Sequence, residues 1–459
     1  MKPATPAAIK LFHESALALA QVESNGFQID VDYLDGAIAN THTRIENLTK
    51  RLKDEPEWKL WRKRFGVDAN IGSREQLGTI LFDELGHECH ARTATGKPQV
   101  DETAVERIGT PFTKNLTKLF KLEKAVGTYL MGIRREVDSQ GLLHAFFNLH
   151  TVETLRGSSD SPNFQNQPVR DPLTGELIRT AFIPRKGRKI VEIDFGGIEV
   201  CVAACYHHDP TMLQYLAEGY DMHRDMAGEC YKIPSAEVPK AIRQQAKALF
   251  VFAEFYGDYY ISCAQSLWDA IDRYGLKLQD GTPLHAHLEN VGIIGRGACN
   301  PKEYEPEPDS FEAHIKAVES DFWGRRFAVY NQWRKDWYAA YQENGGFNTL
   351  TGFQIQGVYS RNFVINCPVQ GSAFHCLLWS LVRLQKWLNK NKMQTLIIGQ
   401  IHDSIVLDVH PDEEAEVLAK AKEIMTVDIM REWPWIITQL KIEAEGSTEN
   451  WWKKKGLAI

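Results

Sequence analysis

Long apolar runs are missing from this 459-residue chain. None approaches the roughly 18 residues that a membrane-spanning helix requires, and the N-terminus carries no signal-peptide apolar core. Paired cysteines are missing too: the eight stand at 89, 201, 205, 230, 263, 299, 367 and 376, with no CxxC spacing. Such scatter argues against structural zinc and a disulfide framework, and favours a reducing cytoplasm. His87, Cys89 and His90 lie close together, but no second ligand pair stands at a usable spacing. Internal repeats and low-complexity linkers are absent. So is an excess of positive charge, the formal net charge being −7. On its face, that balance argues against a nucleic-acid partner.

The positive charge that is present is unevenly placed. Arg51, Lys53, Lys59, Arg62, Lys63 and Arg64 form one cluster; Lys114, Lys118, Lys121, Lys124, Arg134 and Arg135 form another. Such runs are usually solvated faces, yet two of them also fit a surface that grips a phosphate backbone. Helical periodicity over residues 7–22, 31–54 (Asp32 as N-cap) and 103–137, with a helix after Ser73, makes the first third a mostly helical lobe. A short alternating strand is expected at 27–31, after the Asn25-Gly26 turn. From 141 the texture changes to strand-like residues 142–149 and a polar loop, 154–168, too rich in Pro, Gly and Ser for a core element. The stretch 295–309 reads as a surface insertion, 310–342 as an aromatic-rich helix, and 361–376 as a turn through Pro368 and Gly371 into an apolar helix.

The chemistry gathers at 189–200, KIVEIDFGGIEV. An apolar strand delivers Asp194 at its end, Gly196-Gly197 turns the chain, and Glu199 follows with helical spacing. A second acid, Asp403, sits near the tip of a hairpin between the β-type runs 395–401 and 405–409. A lone Asp in a hairpin turn is usually turn chemistry; if the two strands are sheet neighbours, the carboxylates converge. Arg243 and Lys247, four apart on one helix face beside aromatics, suit a triphosphate and a stacked base. Nucleotidyl transfer needs two Mg²⁺ ions about 3.5–4 Å apart on shared carboxylates. Asp194 and Asp403 would supply those carboxylates.

In chain order TLRGSSDSPNFQNQP, DFGGIEV, DMHRD, RQQAKALFVFAEFYG, NCPVQG, IHDS and ENW resemble the signatures of family A DNA polymerases, over about residues 10 to 452. The resemblance implies an α+β right-hand fold with an antiparallel palm sheet, helical fingers and a helical thumb. It divides the chain into thumb (1–140, with an N-terminal segment packed on the palm), palm with motif A (141–215), fingers (216–355, insertion near 280–310), and palm with motif C (356–459). It makes Asp194 and Asp403 the metal-binding aspartates, Glu199 the steric gate against a 2′-OH, and Arg243, Lys247 and His223 the triphosphate contacts. Tyr256 is then the aromatic that closes over the templating position. Arg156, Asn163, Gln165, Asn366, Gln370 and His402 become primer–template contacts. The implied partners are primer–template DNA and dNTPs; because no nuclease domain precedes the thumb, any proofreading is either supplied by a separate 3′–5′ exonuclease or lost by truncation, and a processivity factor is a further candidate partner. That layout favours a phage-type replicase working in the host cytoplasm.

The departures are informative. Tyr256 stands nine residues after Lys247, one more than the family usually has, so Phe252 rather than Val251 becomes the sugar-contacting aromatic if the helix carries a one-residue bulge. Gly196-Gly197, Cys201 and Ser404 replace residues common in relatives. Two alternatives fit the pattern less well: a single-subunit RNA polymerase, which the bulk of Glu199 argues against, and a non-catalytic primer–template-binding protein, which retention of both aspartates, the Arg243–Lys247 pair and Glu199 argues against.

Overall fold

The computed structural model describes residues 2–89, 96–154, 156–169, 171–297 and 305–459; His90, Cys299 and part of the 295–309 stretch lie outside them. At its centre is a five-stranded antiparallel sheet built from β1 (Lys189–Phe195), β2 (Leu396–Ile401), β3 (Ser404–Val409), β4 (Ile442–Ser447) and β5 (Lys455–Leu457). The spatial order is β5-β4-β1-β3-β2. Strand alternation sorts the side chains of β1 between two faces. Val191, Ile193 and Phe195 join the larger core, under the helices Pro6–Asn25, Ile198–His207 and Arg361–Lys390. Ile190, Glu192 and Asp194 take the opposite face. There Ile190 joins a smaller cluster containing Phe27, Phe164, Phe182 and Trp451.

Two helical lobes flank the sheet. The first has its core between Leu48 and Leu122, with Trp58, Trp61, Leu77, Phe112 and Leu119 buried. The second spans Ala204 to Tyr330 around Phe250, Leu267, Phe311 and Phe322. Ion pairs Arg107–Asp269 and Glu106–Arg273 join the lobes directly. Lys121, read above as part of a basic face, is instead occupied by Glu102, Glu106 and Asp171 at 2.9–3.1 Å.

Several local expectations are corrected. Helix Val31–Asp54 is capped by Asp30, whose carboxylate accepts the Tyr33 N–H at 2.9 Å; Asp32 falls in the first turn. Strand 27–31 shrinks to Phe27–Gln28 with a bridge from Ile29 to Phe182. The polar loop is only partly at the surface: Phe164, Gln165 and Gln167 are buried while Asp160, Ser161, Asn163 and Asn166 are exposed, and Ser158–Asp160 pairs as a strand. Residues 310–342 form two helices, Phe311–Asp321 and Ala328–Asn344, separated by a π turn at Phe322–Arg326. The 280–310 stretch, expected to hold an insertion, contributes Leu284, Leu288 and Ile293 to the buried core of the second lobe.

Pro368 does not start a turn but lies inside the continuous helix Arg361–Lys390. A proline there leaves the carbonyl four residues earlier without its donor. The indole Nε1–H of Trp337 fills the gap, donating to the Val364 carbonyl at 3.0 Å.

Trp451 ties the C-terminus to the sheet. It stacks on Phe164 (5.3 Å, 11°), receives the Arg179 guanidinium at 3.9 Å, and donates to Glu192 Oε2 at 2.9 Å. Trp451→Ala should therefore cost about 3–5 kcal/mol of stability, the usual range for emptying a buried aromatic site. Chemical denaturation followed by circular dichroism measures it; a midpoint equal to that of the unmodified protein would contradict the assignment.

Candidate active site

The register of β1 and β3 pairs Asp194 with Ser404, so Asp403, in the two-residue turn before β3, arrives beside Asp194. The Phe195 N–H donates to the Asp403 carbonyl at 3.3 Å and locks the turn to the end of β1. His402 takes a left-handed φ of 49° to make that turn. Gln400 braces it, donating to the His402 carbonyl at 2.8 Å while accepting from Gln165 Nε2 at 2.7 Å. Gln165, expected to touch DNA, is thus a buried brace here, and Gln400 is a supporting residue that sequence reasoning missed. Its signal was a polar residue, buried, in an otherwise apolar strand.

After β1 the chain turns through Gly197 at φ 71°, a left-handed conformation that glycine adopts without strain, and enters helix Ile198–His207. Glu199 lies in the first turn of that helix. It receives the Tyr256 hydroxyl at 2.6 Å and the Arg156 guanidinium at 3.3 Å. The other arm of Arg156 reaches Asp403 Oδ1 at 3.9 Å. Arg156, expected as a primer–template contact, therefore joins the acids.

Negative charge exceeds its local compensation. Burial, then Asp403, Glu192 and Glu443, push the Asp194 carboxyl up to about 7. Burial and Glu199 raise Asp403 to about 6, with Arg156 opposing. Glu443 enters because β4 pairs it with Asp194 from the other side. Glu192 behaves differently. Burial acts to raise it, but Lys454, the Trp451 indole and Arg179 outweigh burial and hold it below the usual range.

Among the described residues no group of three or more acid, histidine or cysteine side chains could hold a metal by itself. Two under-compensated carboxylates fit Mg²⁺ nonetheless, because that ion commonly takes one or two carboxylates and completes its shell with water and substrate phosphates.

The second group of expected residues lies on the facing lobe. Helix Lys240–Ala246 runs into a π turn, Lys247–Val251, and then into Phe252–Phe255. The Phe252 N–H bonds to the Lys247 carbonyl, five residues back. That bond absorbs the extra residue and sets Phe252 above Lys247, whose ammonium lies 5.2 Å from the ring centroid. Val251 is buried, whereas Phe252 lines a cavity with Glu199, Tyr256, Asn366 and Gln370. His223, near the N-terminus of helix Met222–Tyr231, meets the edge of Phe252 at 5.4 Å. Burial, Lys247 and Arg243 lower His223 to about 4, so it is neutral at pH 7, and its Nδ1 is buried without a protein partner. Arg243 Nε donates to Asp221 at 2.7 Å. Gly196, Gly197, His223 and Arg243 line one cleft.

Asn366 Nδ2 donates to the Tyr256 carbonyl at 3.2 Å. His402 and Gln370 flank the carboxylates and the cavity. Asn163 is not brought to the site; its side chain accepts the Asn166 N–H at 3.0 Å and shapes its own loop.

A helical lobe on each side of an antiparallel sheet with two acids at one end is the right-hand polymerase architecture. The polymerase domain of Pol1 from M. smegmatis, solved with DNA primer-template and dNTP, shares the fold with a TM-score of 0.75 at 21% identity, covering 96% of this chain and 70% of that one. The model of DNA polymerase family A matches residues 38–273 and 348–453. Similar proteins include the DNA polymerase of Bacillus phage SP01 (25% identical, covering 83% of this chain and 40% of that protein). The thermostable DNA polymerase I of Thermus aquaticus is 29% identical, with 89% of this chain and 44% of that protein covered. The chain belongs to DNA polymerase family A. It spans less than half the length of these relatives.

Asp194 and Asp403 also set a stability test. Both carboxyls titrate higher in the folded chain than the usual value near 3.9. Their charged forms therefore cost stability, which is greatest below about pH 4 and falls as pH rises to about 7. With chelator present, Asp194→Asn should raise the melting temperature at pH 8, and the gain should vanish towards pH 4. An equal gain at both pH values would refute the charge argument.

Proposed function

We propose that this chain is a DNA-directed DNA polymerase that extends a primer 3′-OH with dNTPs and releases pyrophosphate. The observation that carries the reading is the Asp194–Asp403 pair at the strand ends beside Glu199, which Arg156 links to Asp403 and the Tyr256 hydroxyl links to the helix that bears Lys247 and Phe252. Two Mg²⁺ ions held by those carboxylates would lower the pKa of the primer hydroxyl and stabilise the leaving pyrophosphate. The 3′-oxygen attacks the α-phosphorus, the bond from that phosphorus to the oxygen bridging to the β-phosphate breaks, pyrophosphate departs with that oxygen, and the hydroxyl proton passes to solvent.

The chain's own groups position that event. Arg243 and Lys247 neutralise the triphosphate, and His223, neutral at pH 7, has a ring nitrogen to offer it. Arg243 gives its Nε to Asp221, which leaves its terminal guanidinium nitrogens to meet phosphate. Phe252 packs under the sugar. Glu199, held by Tyr256 and Arg156, fills the space a 2′-OH would need. This last contact favours DNA over RNA synthesis, because a ribose hydroxyl would have to displace a 2.6 Å hydrogen bond. Tyr256 covers the templating position, Arg156, Asn366, Gln370 and His402 line the path of the primer–template, and Gln165 braces the turn at His402. The lobes act as thumb (1–140) and fingers (216–355), with palm at 141–215 and 356–459. Cytoplasmic action completes the reading; among the described residues no helix is long and apolar enough to cross a membrane.

Primer extension is the test. Asp194→Ala or Asp403→Ala should abolish extension while primer–template affinity stays within about twofold; lost binding would make the acids structural. Efficient incorporation of ribonucleotides by the unmodified chain would overturn the DNA assignment. For the bulge register, Phe252→Tyr should ease dideoxynucleotide incorporation, and a response at Val251→Tyr instead would refute it.

A further inference from the structure

Phe252 and Tyr256 stand four apart and so share one side of their helix, the side that lines the cavity. Glu254, midway between them, points the other way and is 1% exposed. Nothing in the site above uses it. Its Oε2 accepts the indole Nε1–H of Trp323 at 2.8 Å, and its Oε1 accepts the Cys263 thiol at 3.5 Å. Its third partner is another acid. Glu254 is hydrogen-bonded to the side chain of Glu319, on helix Phe311–Asp321, and Glu319 Oε1 accepts the Tyr260 N–H at 2.8 Å.

Two ionised carboxylates have only acceptors to offer each other, so a bond between them needs a proton. Burial first, and then the charge of Glu319, push the Glu254 carboxyl up. Burial raises Glu319 as well, but the Tyr260 N–H, the bond from Glu254 and Arg334 oppose it. Glu254 is therefore the protonated member and donates to the Glu319 carboxylate. That one proton fastens helix Phe252–Phe255 to helix Phe311–Asp321. Trp323 adds the π turn Phe322–Arg326, and the Tyr260 N–H adds the first turn of helix Tyr260–Tyr274.

The other groups packed round the pair do not replace the proton. Burial raises the Cys263 and Cys230 thiols and the Tyr330 phenol, which stay neutral. Arg334 lies over the Trp323 ring at 4.0 Å, its Nε buried without a hydrogen-bond partner among the described residues. Lys316 faces the Tyr260 ring and pairs with Glu305 at 3.2 Å. Asp258, whose carboxylate accepts the Tyr259 N–H and the Ser262 hydroxyl, adds negative charge. Loss of the proton would leave Glu254 and Glu319 repelling each other beside that third acid.

We propose that Glu254 and Glu319 are positioning residues for the incoming nucleotide: the proton they share clamps the helix end that presents Phe252 and Tyr256, and its loss frees that end. The role rests on the polymerase reading; the clamp itself does not, and the two are measured separately.

The clamp is read on the free chain. Glu254→Gln keeps the shape, stays neutral and offers Glu319 an amide donor at every pH. A carboxyl whose pKa is raised by folding contributes stability at low pH that is lost as pH rises past the folded value. Between about pH 6.5 and about pH 9, the melting temperature of the unmodified chain should therefore fall relative to that of Glu254→Gln. Parallel curves overturn the shared proton.

The positioning role is read as dNTP affinity on a dideoxy-terminated primer–template with Mg²⁺ in excess. Both chains should bind alike near pH 6.5. Above the pH at which the proton leaves, the unmodified chain should lose up to about tenfold per pH unit while Glu254→Gln does not, and primer–template affinity should stay the same in both. Ionisation of Asp194 and Asp403 favours metal-bound dNTP as pH rises, so a loss of affinity has the opposite sign to theirs. Glu254→Gln following the profile of the unmodified chain overturns the role, as does an equal loss of primer–template affinity. So does an unmodified chain whose affinity never falls, a result that needs no variant. Failure to bind dNTP at any pH overturns the polymerase reading instead, and the melting curves still decide the clamp.

Discussion

The arrangement depends on holding two carboxylates together against their own repulsion. Neither Asp194 nor Asp403 has a full countercharge, and their raised pKa values record the cost. What keeps them in place is the pairing of β1 with β3, anchored by Ile193, Ile405, Val191 and Leu407, all fully buried. A strand slip of one residue would turn these side chains to the wrong face. Apolar burial and sheet register therefore offset the electrostatic strain, and the strain is the property that makes the site receptive to divalent cations.

The neighbouring acids show how finely that strain is localised. Glu192 lies two residues before Asp194 on the same face of β1, yet it is satisfied by Lys454, Trp451 and Ser404. Glu199 is satisfied by Tyr256 and approached by Arg156. Of these four acids, the two aspartates are the ones left under-compensated. Trp451 thus links the C-terminal segment to the floor of the site: removing its indole takes a donor from Glu192, whose charge is already felt at Asp194.

The strands, the hairpin and the helix after Gly197 were legible because their patterns are local: period-two alternation, a turn at His402-Asp403, apolar residues at helical spacing. The bulge beside Lys247 was legible only by counting against relatives, and the π turn gives it a hydrogen bond. Errors arose where a distant partner decides the outcome. Pro368 reads as a helix breaker until Trp337 supplies the donor it lacks. The loop at 154–168 reads as surface until Gln165 meets Gln400, more than two hundred residues away in sequence. Lys121 reads as a free cation until three carboxylates from two segments surround it. A sequence names donors and acceptors but not which of them meet.

Helix Arg361–Lys390 is the element through which the second lobe is referred to the sheet. Its C-terminal half is buried against Pro6–Asn25 and the large core. Its N-terminal half carries Asn362, Asn366 and Gln370 to the cavity and to Tyr256. Helix Ala328–Asn344 is fastened to it at two points, by Trp337 at the Val364 carbonyl and by Tyr341 at the turn before Ser360. The proline that breaks the helix's own ladder thereby creates an acceptor that only the second lobe satisfies. Movement of that lobe relative to the sheet must either preserve the Trp337 bond or leave a buried carbonyl unpaired, at a cost of about 1–3 kcal/mol.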